Sequence, residues 1–449
     1  MLLIALMMLF AHMFVDVISP LKELIQVQRG WTSDVFGTYA GSEYLLNVWG
    51  FLIVAGIILD KMGLRFTGEL SALIMFAGAC IKYYAISDAF IGSGFEAWLN
   101  SWWVAMPGSA KLASLGFMIF GCGCEMAGIT ASKAMAKWFE GKEMALAMGL
   151  EMALARVGVF FIFTISPRIA GIGGADPSVV RPVAFCTALL LIGLLCYTIF
   201  CVMDKKLDKQ LGETASGDSE EEFKISDIGK IFSSRLFWIV AMLCVLYYSA
   251  IFPFQKFAAN MLQSNLGISA TAAADIFRWF PIGAALITPF LGWYLDRKGK
   301  GATMLILGSL LMIICHSIFA LVLPAIPSKA IAFSAIILLG ISFSLVPAAL
   351  WPSIPKIMDK RYLGSAYSLI FWVQNFGLSG TPIIIGYALE KSNPGVAEQI
   401  AAGVEGATYN YTVPMLLFAS LGVMALLFAM WLKADDKRNH YGLEEPNIK

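Results

Sequence analysis

The chain is short of charge. Only 14% of its residues are Asp, Glu, Lys or Arg, while 59% are hydrophobic and the mean hydropathy is +0.75. A soluble globule of 449 residues needs a polar exterior that this composition does not supply, so the chain is expected to lie in a bilayer. Histidine is scarce, with three copies, and no nucleotide-binding or catalytic motif is present, which argues against an enzyme. A net charge of +1 leaves no electrostatic footprint for nucleic acid. The eight cysteines (80, 122, 124, 186, 196, 201, 244 and 315) all fall in apolar runs, where a reduced thiol acts as a small apolar group. No disulfide framework is implied. Cys122 and Cys124 beside Glu125 have the wrong spacing for zinc and no nearby histidine, so neither metal nor cofactor is expected. A charged leader, a cleavage site and a sorting tail are also missing, so the apolar run from Leu2 is expected to be a first span.

What is present is a series of apolar runs, each near the roughly 20 residues that a spanning helix requires. Twelve can be placed: 2–20, 35–59, 66–87, 112–138, 144–170, 180–203, 237–262, 273–295, 302–324, 330–352, 364–389 and 412–433. The second closes with Gly56, Asp60 and Gly63, and the eighth closes with Gly292, Asp296 and Gly299 at the same offsets, 236 residues later. Such a repeat predicts two homologous halves. The expected organisation is an all-α membrane protein of twelve helices in two pseudo-symmetric six-helix halves. Residues 1–203 form the first half, 204–235 a polar linker, 236–435 the second half and 436–449 a tail. With both termini inside, the inner segments hold 21 Lys and Arg against 7 in the outer loops, which favours a cytoplasmic placement of both termini. The linker charges are expected to be solvated. The stretch 88–111, with Trp98, Trp102 and Trp103, is expected to lie at the membrane interface.

Charge inside an apolar span is costly, so the few deep polar residues mark candidate sites. Glu125 and Arg156 flank a turn near Gly141, so an antiparallel hairpin would bring both to one depth, about 23 Å from the turn. They either pair with each other to join the fourth and fifth spans, or face a cavity and hold the charged ends of a solute. Glu43 and Asn47 lie one helical turn apart in the second span. Asn375 occupies in the second half the place of Arg156 in the first, next to Gln374 and Trp372. Lys256 follows Pro253 in the seventh span, and Arg278 mirrors it in the eighth; each either faces the cavity or is satisfied locally, Lys256 by reaching outward and Arg278 by Asp275. Asp16, near the end of the first span, is poised between lining the pathway and exposure at the rim. Lys82 is expected to reach outward to the interface, and His316 to be packed. Asp60 and Asp296, turned by Gly63 and Gly299, are expected to gate by capping the inner ends of the eleventh and fifth spans, near Gly364 and Lys142.

The repeated Gly-x-x-x-Asp-x-x-Gly between spans resembles the signature of the major facilitator superfamily. Within that superfamily, Trp138 to Glu143, Ala155-Arg156-Val-Gly158, Tyr247-Tyr248 with Phe252-Pro253-Phe254, Ala349-Leu350-Trp351-Pro352 and Gln374-Asn375-Phe-Gly377-Leu378 resemble the lysosomal dipeptide transporter family. The resemblance implies alternating access. It also implies a cavity in which an acid of the fourth span and an arginine of the fifth hold the peptide's amino and carboxyl ends, by position Glu125 and Arg156. The expectation is a secondary carrier of a small zwitterionic solute, dipeptide-like first. The alternatives are a proton-coupled carrier of organic anions and a transporter-like sensor. A cell or inner membrane is expected, with a monomeric chain and no accessory subunit.

Overall fold

The computed structural model describes residues 2–139, 144–211, 225–358 and 363–446. Ten segments are long and apolar enough to cross a membrane. They are α1 (Leu2–Arg29), α3 (Phe51–Ile86), α4 (Gly108–Met135, helical on to Phe139), α6 (Val180–Lys209, helical on to Leu211), α7 (Arg235–Leu266), α8 (Ala270–Lys298), α9 (Gly301–Ala325), α10 (Lys329–Ile357), α11 (Ser365–Ser392) and α12 (Thr412–Asn439). Two more helices complete the expected twelve: α2 (Ser33–Ser42), continued by Leu45–Val48 and the first turns of α3, and α5 (Met144–Ile169). Each half is a six-helix bundle. Serine side chains cap three of the helices: Ser234 accepts from the Phe237 amide, Ser269 from Ala272 and Ser328 from Ile331.

The two repeat turns are built alike. Gly63 has φ +76° and Gly299 φ +70°, a left-handed backbone that costs glycine nothing and a residue with Cβ about 1 kcal/mol or more. That requirement explains why glycine recurs at the same offset. Around the second copy the tail folds back: the Lys300 and Gly301 amides donate to the carbonyls of Glu444 and Leu443, both at 3.0 Å, and the Glu444 carboxylate accepts from the Thr303 amide at 2.7 Å. A carboxylate thus sits at the start of α9, where the helix dipole favours it.

The first two spans are not continuous helices. α1 loses its regular winding after Val15 and resumes as a 3-10 turn, Ser19–Leu21, while α2 stops before Glu43, and Gly50 (φ +94°) starts the next segment. A single helix over 35–59 was the expectation; instead the chain unwinds where its polar residues fall. Asp204, placed among solvated linker charges by sequence, is buried and held by Lys137 (2.9 Å), Arg65 (3.3 Å) and the Trp138 indole (2.9 Å).

The halves share a packed seam. At the end opposite the repeat turns, glycines let α2 and α11 touch backbone to backbone: a Cβ on Gly37 would strike the Pro382 carbonyl, one on Gly41 the Ser379 carbonyl and one on Gly386 the Ser33 carbonyl. Here too Gln26 bonds Tyr409 (2.9 Å), the Ser33 amide bonds Glu390 (3.0 Å), Gln263 bonds Glu23 (2.6 Å), and Arg168 pairs with Asp275 (2.8 Å). At the repeat-turn end, Asp60 pairs with Lys133, Arg65 with Asp208 and Arg235 with Asp435, each within its own half. The far end of the molecule is therefore closed.

Candidate functional site

Between these ends, α4 carries Glu125 and α5 carries Arg156, both half-buried. Among the described residues no ion pair joins them, and none involves either. The Arg156 guanidinium instead reaches across to the second half, 4.8 Å from the Phe343 ring centroid on α10 and 5.6 Å from that of Phe252 on α7. Tyr248 stacks on Phe252 at 5.6 Å, and the Trp351 indole donates to the Tyr248 hydroxyl at 3.2 Å. One wall of the centre is thus cationic and acidic, and the other is aromatic. A guanidinium held only by ring faces keeps its five N–H donors available for a carboxylate. Phe343 was not among the expected site residues; its neighbours Tyr248 and Phe252 are separated by one turn on α7, a spacing that marks a common face.

The amides of α11 lie beside this centre and are largely engaged. Asn375 is buried, its Nδ2 donating to the Phe371 carbonyl at 2.9 Å while its Oδ1 has no partner. Gln374 Oε1 accepts from the Cys244 thiol at 3.1 Å. Trp372 donates across the halves to the Val48 carbonyl at 2.9 Å, an acceptor freed by the broken second span. Asn47 is fully buried with neither side-chain amide atom bonded.

Three of the expected residues form a different assembly. Lys256 is buried between the halves, 3.2 Å from Glu43 and 3.3 Å from Asp16, and donates to the Val15 carbonyl at 3.0 Å. It does not reach outward, and Asp16 is not exposed at a rim: it is 1% exposed, and it also accepts from Ser19 at 3.0 Å and from Gln255. Asn47 does not share the face of Glu43, because the helix between them is interrupted. Lys82 likewise stays inside, its ammonium 4.1 Å from the Phe14 ring centroid and 4.5 Å from that of Phe117, with no hydrogen-bond partner. Arg278 pairs with Asp275 at 2.9 Å and lies over Phe160 and Trp279, away from Glu125. His316 is packed, bonded to the Ala250 carbonyl at 3.1 Å and stacked on Phe418.

Of the gating residues, Gly63 and Gly299 form the turns just described, and Asp60 pairs with Lys133 of its own half at 3.0 Å rather than with the start of α11. Lys142, the expected counterpart of Asp296, lies outside the described residues. The eight cysteines are unpaired.

The comparisons with known proteins agree with this architecture. The model of the Major Facilitator Superfamily matches residues 4–382 and 257–447. The chain belongs to that superfamily. It is 27% identical to the lysosomal dipeptide transporter MFSD1 of Danio rerio over 82% of this chain and 75% of that protein. It is 24% identical to the probable sulfoacetate transporter SauU of Cupriavidus necator, over 67% of this chain and 68% of that protein. A bacterial homologue of the human lysosomal transporter Spinster, solved in an inward-facing, occupied conformation, superposes with a TM-score of 0.70 at 16% identity, covering 96% of each chain. The protein is a multi-pass membrane transporter of this superfamily, not an enzyme.

Proposed function

We propose that this transporter carries small zwitterionic solutes, dipeptides first, by alternating exposure of the centre between the two faces of the membrane. The observation that carries the reading is the unpaired state of Glu125 and Arg156. Two opposite charges facing one half-buried space, each without an ionic partner, match a solute with an ammonium at one end and a carboxylate at the other. Burying either charge alone would be expensive, and a zwitterion would satisfy both at once. The aromatic wall of Tyr248, Phe252 and Phe343 suits the apolar body between those ends. The homology to MFSD1 supports the same class. The inward excess of Lys and Arg supports a cytoplasmic repeat-turn end, in a cell or inner membrane.

The account assigns the substrate-holding role to Glu125 and Arg156, with Asn375 and Gln374 as hydrogen-bonding neighbours. Thermal stabilisation of the purified protein, screened over dipeptides, amino acids and simple carboxylates, tests it. Dipeptides should raise the melting temperature and carboxylates should not. If carboxylates alone stabilise, the organic-anion reading takes its place. Uptake into liposomes separates a carrier from a sensor.

A further inference from the structure

The Asp16–Glu43–Lys256 assembly is not needed to hold a zwitterion at Glu125 and Arg156, yet it is the most heavily charged buried cluster between the halves. Asp16, Glu43 and Lys256 are 1%, 3% and 5% exposed. Three oxygens converge on the Lys256 ammonium, and all belong to the first half: the Val15 carbonyl at 3.0 Å, Glu43 Oε2 at 3.2 Å and Asp16 Oδ1 at 3.3 Å. The carbonyl is free because α1 unwinds at that residue. A tethered cation therefore fills an oxygen-lined site that a discontinuous helix has prepared. Two further buried polar atoms beside it lack partners, the Lys82 ammonium and the Tyr39 hydroxyl. Lys82 and Lys256 share the Phe117 ring, at 4.5 and 5.4 Å from its centroid, and Tyr39 stacks on that ring at 4.9 Å.

Charge counting gives the site its meaning. Two carboxylates and Lys82 leave the first half with one uncompensated negative charge, which Lys256 of the second half cancels. Opening of the far end withdraws Lys256 with α7, and the cluster is then one cation short. We propose that the Val15, Asp16 and Glu43 oxygens bind one monovalent cation, a proton or a sodium ion, from the far side when the halves part there. Lys256 displaces it on closure, so each cycle couples to one cation. Among the described residues no three His, Cys, Asp or Glu side chains are grouped so as to hold a metal ion by themselves, and two carboxylates with a nearby ammonium disfavour a divalent ion. The other titratable or charged groups facing the cluster are His12 on α1, Tyr39 on α2, Tyr44 in the break that follows it, Lys82 on α3, Cys124 and Glu125 on α4, Arg156 on α5 and Cys186 on α6.

The inference rests on alternating access but not on the identity of the solute, and its test needs no solute. Spin labels at Trp103 and Val404, both exposed in far-end loops, would report the separation of the halves in the full chain freed of native cysteines. The far-open population should grow by up to about ten-fold per pH unit of acidification, or per decade of sodium at fixed pH, the limit for one bound cation. Response to acid alone identifies the proton, and response to sodium but not potassium identifies sodium. Asp16→Asn and Glu43→Gln should each abolish the response, while Lys256→Met should raise the far-open population without added ion. A wild-type distance distribution indifferent to both ions, or a response that survives both carboxamide substitutions, overturns the proposal. Peptide uptake alongside an indifferent distribution would overturn the cation site alone, and ion-sensitive distances without uptake would overturn the solute reading alone.

Discussion

The two ends of the molecule are held together in opposite ways. At the far end the halves share backbone contacts through Gly37, Gly41 and Gly386, a buried ion triad and hydrogen bonds such as Gln26 to Tyr409. At the repeat-turn end, Asp60 pairs with Lys133 and Glu444 accepts from Thr303, each inside its own half. The difference locates the work of the cycle. Closing the far end engages a buried ion triad, and a carrier that alternates must exchange one set of contacts for another.

The largest disturbance of this comparison should come from the triad. Removing one partner from a buried ion pair costs about 3–5 kcal/mol, because the remaining charge is stranded. Lys256→Met should therefore lower the melting temperature sharply, and combining it with Asp16→Asn and Glu43→Gln should restore much of the loss; additive losses would show that the three do not act as one unit.

A smaller effect is expected at the glycine seam. Gly41→Val puts side-chain atoms against the Ser379 carbonyl, and overpacking costs about 1–3 kcal/mol. The far-open population should grow, as read by spin-label distances, whereas an unchanged distribution would mean that the seam does not set the closed state. At the other end, Asp60→Asn should slow transport while leaving substrate affinity within a few-fold, since the carboxylate is half-exposed and expected to act only when the repeat-turn end closes. An unchanged turnover would remove Asp60 from the gate. The smallest effect belongs to Arg278, which is already paired with Asp275. Arg278→Gln should leave dipeptide uptake within about three-fold, or roughly 0.7 kcal/mol; complete loss of uptake would favour an anionic substrate.

The spans were legible because a bilayer imposes one length scale on every crossing helix, and hydropathy reports it directly. The repeat was legible because only glycine turns the chain at Gly63 and Gly299 without strain. The interruptions at Val15 and between Ser42 and Gly50 were not, although Asp16 and Pro20 follow the first and Glu43 lies in the second; their carbonyls are satisfied by Lys256 and Trp372 from the other half. For the same reason Lys82 was expected outward, and Asp16 was left between the pathway and the rim. Their depth could be counted along a helix, but the ammonium of Lys256 and the rings of Phe14 and Phe117 that receive them come from elsewhere in the chain. Glu125 and Arg156 were conspicuous as isolated charges, while the rings facing Arg156 come from α7 and α10 of the other half.

The central claim is that Glu125 and Arg156 hold the two ends of the solute instead of each other. Dipeptide binding by purified Glu125→Gln and Arg156→Lys variants, measured together with their melting temperatures, tests it most directly. Lysine keeps the charge of Arg156 but not the planar fork that grips a carboxylate through two hydrogen bonds. The account predicts that both variants melt close to the unaltered protein and bind no dipeptide. Normal binding by either variant, with melting several degrees lower, would contradict it.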